Sequence, residues 1–539
     1  MNRRFPVVLV ILVCAALFAA PAGALAFGPL SSVASYGEGA GQIKSPGSLA
    51  VAPDGTSYVA DFSNERISVF SAQGAFLFAF GKDVSLAGGN LCTAASGCKA
   101  GTVSSSAGGM NGPESVALDS AGNVYVADLE MHRIDVFTAQ GAFLRAFGEE
   151  VNATDHSDVC TAASGCEEGV RSEAAGGMDS PSGLGTDSAG NVYVADSGNN
   201  RVDVFTAQGA FLRAFGEEVN ATDHSDFCTA ASSCEEGAGS GAAGAMYRPY
   251  DVKVAPNGQL VVSDDENNRI DVFTTAGGFV RAFGKEVNPS GGDVCTTASG
   301  CQAGTSAADA GAFESATAIA VDAANGIYVA DSSASRISQF AIDGNFIRAF
   351  GAGVISGGNA FQICTAATGC QEGSHTQVSG GLPSVDGVAV DCRGAVYGAS
   401  YESSFARVER FGEPGTLLPP CPPPAQTAPV VPIAAPAKPS NKIKFGKLKL
   451  NKKMGTATLI VKVPGPGSLI LKGNGLKKVK RVAKKASSMK LPVALVGKAK
   501  KKLNKAGKAK VKAKLTFSPT GGSAGTQAKQ LTLKKTLAG

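Results

Sequence analysis

The sequence predicts an all-β protein: a six-bladed β-propeller followed by a small C-terminal β-sandwich. Three observations carry that expectation. The 22-residue string FTAQGAFLRAFGEEVNATDHSD stands at residues 137–158 and again, unchanged, at 205–226. The phrase YVAD, or its variant VVSD, ends at Asp61, Asp128, Asp196, Asp264 and Asp331, in steps of 67 or 68 residues. Between these marks each unit holds four short segments rich in β-branched and aromatic residues, separated by Gly, Asn, Asp and Ser turns. A fixed long period means that one supersecondary unit is stacked on copies of itself. Four antiparallel strands per unit, arranged radially, make a propeller blade.

The chain opens with Arg3 and Arg4, an apolar run over 5–20 and a small-residue site at Ala24-Leu25-Ala26. Residues 1–26 therefore read as an export signal cleaved before Phe27, and no later run is long enough to span a membrane. The propeller is expected over 27–412. In the third copy its strands fall at 183–186, 191–195, 201–205 and 211–215. First strands begin near Ser48, Ser115, Gly183, Asp251, Ala318 and Gly387, which makes six. Fourth-strand endings of the F-x-x-x-F-G type number five, at Gly81, Gly148, Gly216, Gly284 and Gly351. The sixth unit stops at Gly412, and a fourth-strand-like piece at 32–37 is expected to complete it. That closure leaves no sheet edge open.

The repeated motif, P-x-x-V-A-V-D, then G-N-V-Y-V-A-D-S-G-N-N-R-V-x-V-F, then G-x-F-L-x-x-F-G, resembles the NHL-repeat family over about 28–412. The resemblance implies a six-bladed propeller, in agreement with the strand count. It does not imply one activity, since such propellers include protein binders, RNA binders, lyases and lactonases. The departure from the family is a long insert between the last strand of one blade and the first of the next.

Five inserts each carry one C-x5-C pair: Cys92/Cys98, Cys160/Cys166, Cys228/Cys234, Cys295/Cys301 and Cys364/Cys370. An even number of cysteines in an exported chain reads as disulfides. Structural zinc usually asks for C-x2–4-C with two more ligands nearby. Each pair is expected to close within its own insert, contributing ~2 kcal/mol for so short a loop. Cys392 and Cys421 are left to pair with each other.

Strand parity puts the inserts on the same face as the turns between second and third strands, where first strands also begin. That face is the functional candidate, because binding residues concentrate on loops held by a rigid scaffold. Five of its turns carry an aspartate and, five residues later, an arginine: Asp61/Arg66, Asp128/Arg133, Asp196/Arg201, Asp264/Arg269 and Asp331/Arg336. A pair repeated in blade after blade reads as structural. Differences between copies are more informative. Around the channel mouth the position after the blade-opening residue reads Gly47, Glu114, Ser182, Tyr250, Thr317 and Asp386. With Asp251 at the next position, Glu114, Tyr250 and Asp386 form the candidate binding set. An oxygen-only cation site from Glu114, Asp251 and Asp386 is the alternative, and would suit a metal-dependent hydrolase, lactonase or lyase. None of the four histidines can be assigned to the channel, no nucleophile–base set is in register, and no cofactor is expected. Asn152 and Asn220 lie in glycosylation sequons.

Residues 413–441 form a Pro-rich linker and 442–539 a lysine-rich domain. From 441 onward there are 27 Lys and Arg and no Asp or Glu, leaving 22 basic against 45 acidic residues elsewhere. Strand-like runs at 443–450, 456–463, 468–472, 490–495, 509–517 and 530–533 make this part similar to Ig-like or fibronectin-like sandwiches. So cationic a domain is expected to meet an anionic envelope polymer or lipid surface. Nucleic acid is disfavoured, since no aromatics are interleaved for base stacking. A protein or glycan ligand is expected on the insert-bearing face of the propeller, and the reading as a whole is a secreted or envelope-associated binding scaffold.

Overall fold

The computed structural model describes residues 27–402, 406–413, 442–465, 467–483, 487–519 and 525–537. The leader 1–26, the linker beyond 413 and Cys421, the expected partner of Cys392, lie outside the described residues. The chain divides into two compact units, Met1–Gln426 and Thr427–Gly539.

The first unit is built from antiparallel sheets of successive strands. In the third repeat Pro181–Thr186, Asn191–Asp196, Arg201–Thr206 and Phe211–Phe215 pair in sequence order, as the alternation of apolar residues requires. Phenylalanines of one sheet pack on those of the next: Phe147 meets Phe205 at 5.0 Å and Phe215 meets Phe273 at 5.2 Å between ring centroids. Apolar burial between neighbouring sheets is therefore the main cohesive term around the array.

Two features differ from the sequence reading. Five of the sheets carry a fifth strand, contributed by the insert. Phe227–Cys228, for example, pairs with Phe211–Phe215, placing Cys228 opposite Ala214. The alanine of each F-x-x-A-F motif is small enough to lie under the disulfide. Val219, Ala214, Cys228 and Cys234 accordingly form a buried satellite core of their own. The second difference is in the sixth sheet, Val385–Val390, Val396–Ser400 and Arg407–Gly412. Its outer strand is Gly28–Ser32, not the expected 32–37, and it pairs with Arg407–Gly412. Ser35–Tyr36 instead pairs in parallel with Gln42–Ile43. Phe27 explains the shift: its ring sits 4.9 Å from Phe350 and under the Arg348 guanidinium at 4.2 Å, so the apolar anchor precedes the strand.

The second unit has a three-stranded sheet (Lys444–Asn451, Thr456–Val463, Ser487–Val493) and a four-stranded one. The latter runs Val479–Ala483, Gly467–Lys472, Lys508–Pro519, Gly525–Lys534 across the sheet. Both contribute to one core, including Leu459, Val461, Leu469, Leu471, Leu491, Leu515 and Phe517. A helix at Gly497–Ala506 was not expected. Only Leu503 is buried on it, and Gly507 ends it in the left-handed conformation, φ 66°, its N–H bonded to the Leu503 carbonyl. Among the described residues no helix is long and apolar enough to cross a membrane.

Candidate functional site

The five C-x5-C pairs are disulfides within their own inserts: Cys92–Cys98, Cys160–Cys166, Cys228–Cys234, Cys295–Cys301 and Cys364–Cys370. A second device fixes each insert to the turn below it. The turn residue before each arginine is left-handed, as at His132 (φ 48°) and Asn200 (φ 51°). An insert glycine lies against its carbonyl. A Cβ on Gly169 would stand 2.6 Å from the His132 oxygen, and one on Gly237 would stand 2.6 Å from that of Asn200. Only glycine fits.

The Asp/Arg pairs do more than close their turns. Arg201 is wholly buried and donates to the carbonyls of Glu173 (2.5 Å), Ala174 (3.2 Å) and Gly177 (3.0 Å) in the insert before its blade. It also donates to Glu235 (3.1 Å) in the insert after it. Arg66, Arg133, Arg269 and Arg336 reach the same two kinds of carbonyl. The aspartates hold the guanidinium, as in Arg66–Asp61 at 2.8 Å and Arg269–Asp264 at 3.0 Å. Their other oxygen accepts the N–H that opens the blade, as Asp196 does from Asp179 (2.7 Å). Arg133, Arg201, Arg269 and Arg336 are thus clips between two successive inserts, and Arg66 ties the first insert to the N-terminal segment at 38–42. A sixth arginine in the equivalent place, Arg407, escaped the sequence reading and reaches the insert before its sheet. Its turn is two residues longer and Ser400 replaces the aspartate, yet it donates to Val378 and Gly381 carbonyls at 2.8 Å and pairs with Glu409 at 3.0 Å.

The three middle repeats bury a second acid beside the clip. Arg133 meets Asp128 and Asp135, Arg201 meets Asp196 and Asp203, and Arg269 meets Asp264 and Asp271. Two carboxylates share one guanidinium out of water. Desolvation raises both aspartates of each pair, with Asp128, Asp196 and Asp271 raised the most.

At the channel mouth two of the candidates meet. Tyr250 of the fourth sheet crosses to the second, where its hydroxyl donates to Glu114 Oε1 at 2.5 Å. Burial drives the Glu114 carboxyl up to about 7, the Tyr250 bond pulls it back, and Asp386 and Asp251 add repulsion. Asp386 is raised to about 6 by burial, against a Ser332 hydrogen bond, with Asp265 repelling it. Asp265 and Tyr401, on the turns of the fourth and sixth sheets, belong to the same electrostatic cluster. The sequence pattern gave no sign of them, since turn positions vary freely. Asp251 lines the same pocket as Glu114, Tyr250 and Asp386 but is engaged with its own neighbours. Its carboxylate takes the Lys253 ammonium and the N–H groups of Val252 (2.8 Å) and Ile319 (2.9 Å), and it seams neighbouring first strands. The pocket that the four candidates line together with Ser48, Ser115, Ser182 and Thr317 is about 10 Å³, about enough for a single water.

The oxygen-only cation set is not assembled: among the described residues no group of three or more His, Cys, Asp or Glu is arranged to hold a metal ion. The histidines lie on inserts and turns. His156 pairs with Glu167 at 3.0 Å, His224 with Glu235 at 2.9 Å, His132 accepts from Ser180 N–H, and His375 bonds Ser335. The sequon asparagines are inward-facing. Asn152 donates to the Val159 carbonyl at 2.9 Å and Asn220 to that of Phe227 at 2.8 Å, both buried.

Residues 110–137 and 178–205 match the family model described as NHL repeat. The chain carries NHL repeats. No curated protein matches it. Solved structures similar to the NHL-repeat unit include a streptogramin B lyase, at 11% identity over 72% of this chain and 99% of that one, TM-score 0.40. A virginiamycin B lyase from Staphylococcus aureus matches at 10% identity over 69% and 97%, TM-score 0.36. A gluconolactonase from Xanthomonas campestris matches at 10% over 72% and 98%, TM-score 0.36. At such values the likeness carries no statement about activity.

Proposed function

We propose that this NHL-repeat protein is a secreted or envelope-associated binding scaffold, whose propeller presents its inserts to a protein or glycan ligand and whose basic unit associates with an anionic envelope surface. The observation that carries the reading is the pairing of a stoppered channel with a braced rim. The Tyr250–Glu114 bond crosses the mouth, and the pocket that these two residues line measures about 10 Å³, about enough for one water. The inserts, by contrast, are each held by a disulfide, an arginine clip and a buried glycine contact, and they present exposed apolar side chains such as Leu91 and Phe227. Loops ordered in advance lose less entropy when they bind. Five disulfides also suit an oxidising compartment.

The test is site-specific photocrosslinking to intact envelopes from Leu91 and Phe227 on the inserts, and from Asp54 on the turn at the opposite end of its blade. The scaffold reading expects the same adduct from both insert positions and none from Asp54. Adducts from Asp54 alone, or none from any position, would overturn it.

A further inference from the structure

The strand Lys508–Pro519 alternates Lys508, Lys510, Lys512 and Lys514, all exposed, with Ala509, Val511, Ala513 and Leu515, all buried in the core. The four ammonium groups therefore lie in one row along one face of the four-stranded sheet. Neighbouring strands extend the row sideways, because Lys534 stands opposite Lys508 and Lys472 opposite Lys514. Like charges directly across a sheet are destabilising. No acid exists anywhere in this part of the chain to relieve them. An anion from outside can.

The spacing narrows the anion. Lysines two residues apart are separated by six backbone bonds, which in an extended chain span about 7 Å. A glycerol phosphate chain also repeats every six backbone bonds, from one phosphorus to the next. Extended alongside the strand, it sets one phosphate against each lysine without slipping out of step. A nucleic acid strand shares that bond count, but this face presents no ring on which a base could stack: Phe517 is buried and Phe445 packs against the core.

We propose that Lys508, Lys510, Lys512 and Lys514 form a track for a linear polyol phosphate chain of the glycerol phosphate type. The inference rests on the reading of the basic unit as an envelope anchor, and its test separates the two.

Full-length protein is titrated with glycerol phosphate oligomers of two, four and eight repeats at 50 and 200 mM salt. Neutralising four phosphates of a single chain gives a salt slope near −3, so Kd should weaken about 50-fold between those salts. K510Q/K512Q should halve the slope, leaving a change of about 7-fold. K508Q/K514Q, at the ends of the row, should do the same. K500Q/K502Q, on the exposed face of the helix, removes equal charge and should leave the slope unchanged. Affinity should rise from two repeats to four and then level off.

Equal losses from the strand and helix variants would mean a diffuse field, overturning the track while keeping the anchor. Tighter binding to a thymidine oligomer, or binding only to phosphatidylglycerol vesicles, would also overturn the track. Failure of the unmutated chain to bind any of these probes would remove the anchor as well.

Discussion

Replacing Arg201 with methionine tests whether the clip holds two inserts at once. The side chain has no exposed surface, so its loss strands the Asp196 and Asp203 carboxylates and the carbonyls of Glu173, Ala174, Gly177 and Glu235. Removing one partner of a buried ion pair costs about 3–5 kcal/mol. Orphaned carbonyls add to this, less whatever water recovers as the inserts loosen, for a total on the order of 5 kcal/mol. Unfolding entropy near 2.1 cal/mol/K per residue over some 385 residues makes each kcal/mol worth roughly 1.2 °C, so Tm should fall by about 6 °C. Limited proteolysis supplies the spatial signature. Trypsin should gain access at Arg171 in the preceding insert, and chymotrypsin at Phe227 and Tyr247 in the following one. R66M strands one aspartate, because Ser68 occupies the second acid's place, and should cost less. An unchanged melt, or one insert becoming labile without the other, would refute the clip.

Asp203→Ser reproduces in the third repeat what Ser68 is in the first. A buried acid with a raised pKa holds its proton more tightly when folded, so its contribution to stability declines as pH rises from the unfolded value through the folded one. D203S should therefore gain on the parent as pH is raised from 4 to 8 in thermal melts, and a constant difference would count against the shared-guanidinium account. Deleting residues 27–32 removes the strand paired with Arg407–Gly412 and the Phe27 anchor. It should lower Tm and promote aggregation by light scattering, and an unaffected melt would mean this strand is dispensable. Expression in a glycosylating host should leave Asn152 and Asn220 unmodified in the folded protein by mass spectrometry, because both amides are inward and bonded.

The legible parts of the sequence were those written more than once. Repeats gave the strands, the Asp/Arg turns and the disulfide pairing, since a unit that recurs must be satisfied by its own residues and its neighbours. Arg407 was hidden by a longer turn and a lost aspartate. The fifth strands were hidden because Phe227–Cys228 is two residues long, and its pairing depends on an alanine beneath the disulfide rather than on any strand propensity. At the mouth, comparing copies drew attention to Glu114, Tyr250 and Asp386, which line one pocket. It could not show that Asp251 is engaged with its own neighbours, because that depends on a salt bridge to Lys253 two residues away. Asp265 and Tyr401 join the cluster only through the geometry of the ring.

The mouth makes sense only as an asymmetric device. Six identical acids at those positions would repel one another in a space that holds about one water. One long ring spans from the fourth sheet to the second, and Ser182 of the intervening third sheet lines the same pocket. Ser182→Leu should push the Tyr250 ring aside and break its bond to Glu114. The bond favours the ionised carboxylate, so its loss should raise the Glu114 pKa beyond about 7, as Tyr250→Phe should by removing the hydroxyl. The sign is fixed by the raised folded value: stability from this group is complete below the unfolded pKa near 4.5 and is lost as pH climbs through the folded one. In the parent the shift from 4.5 to about 7 corresponds to roughly 3 kcal/mol lost by pH 8. Melts between pH 4 and 9 should show that decline ending at higher pH in S182L and Y250F, and smaller in E114Q, where only the other raised acids still contribute. If S182L lowers Tm by the same amount at every pH, Tyr250 does not reach Glu114 over Ser182, and the stopper is held some other way.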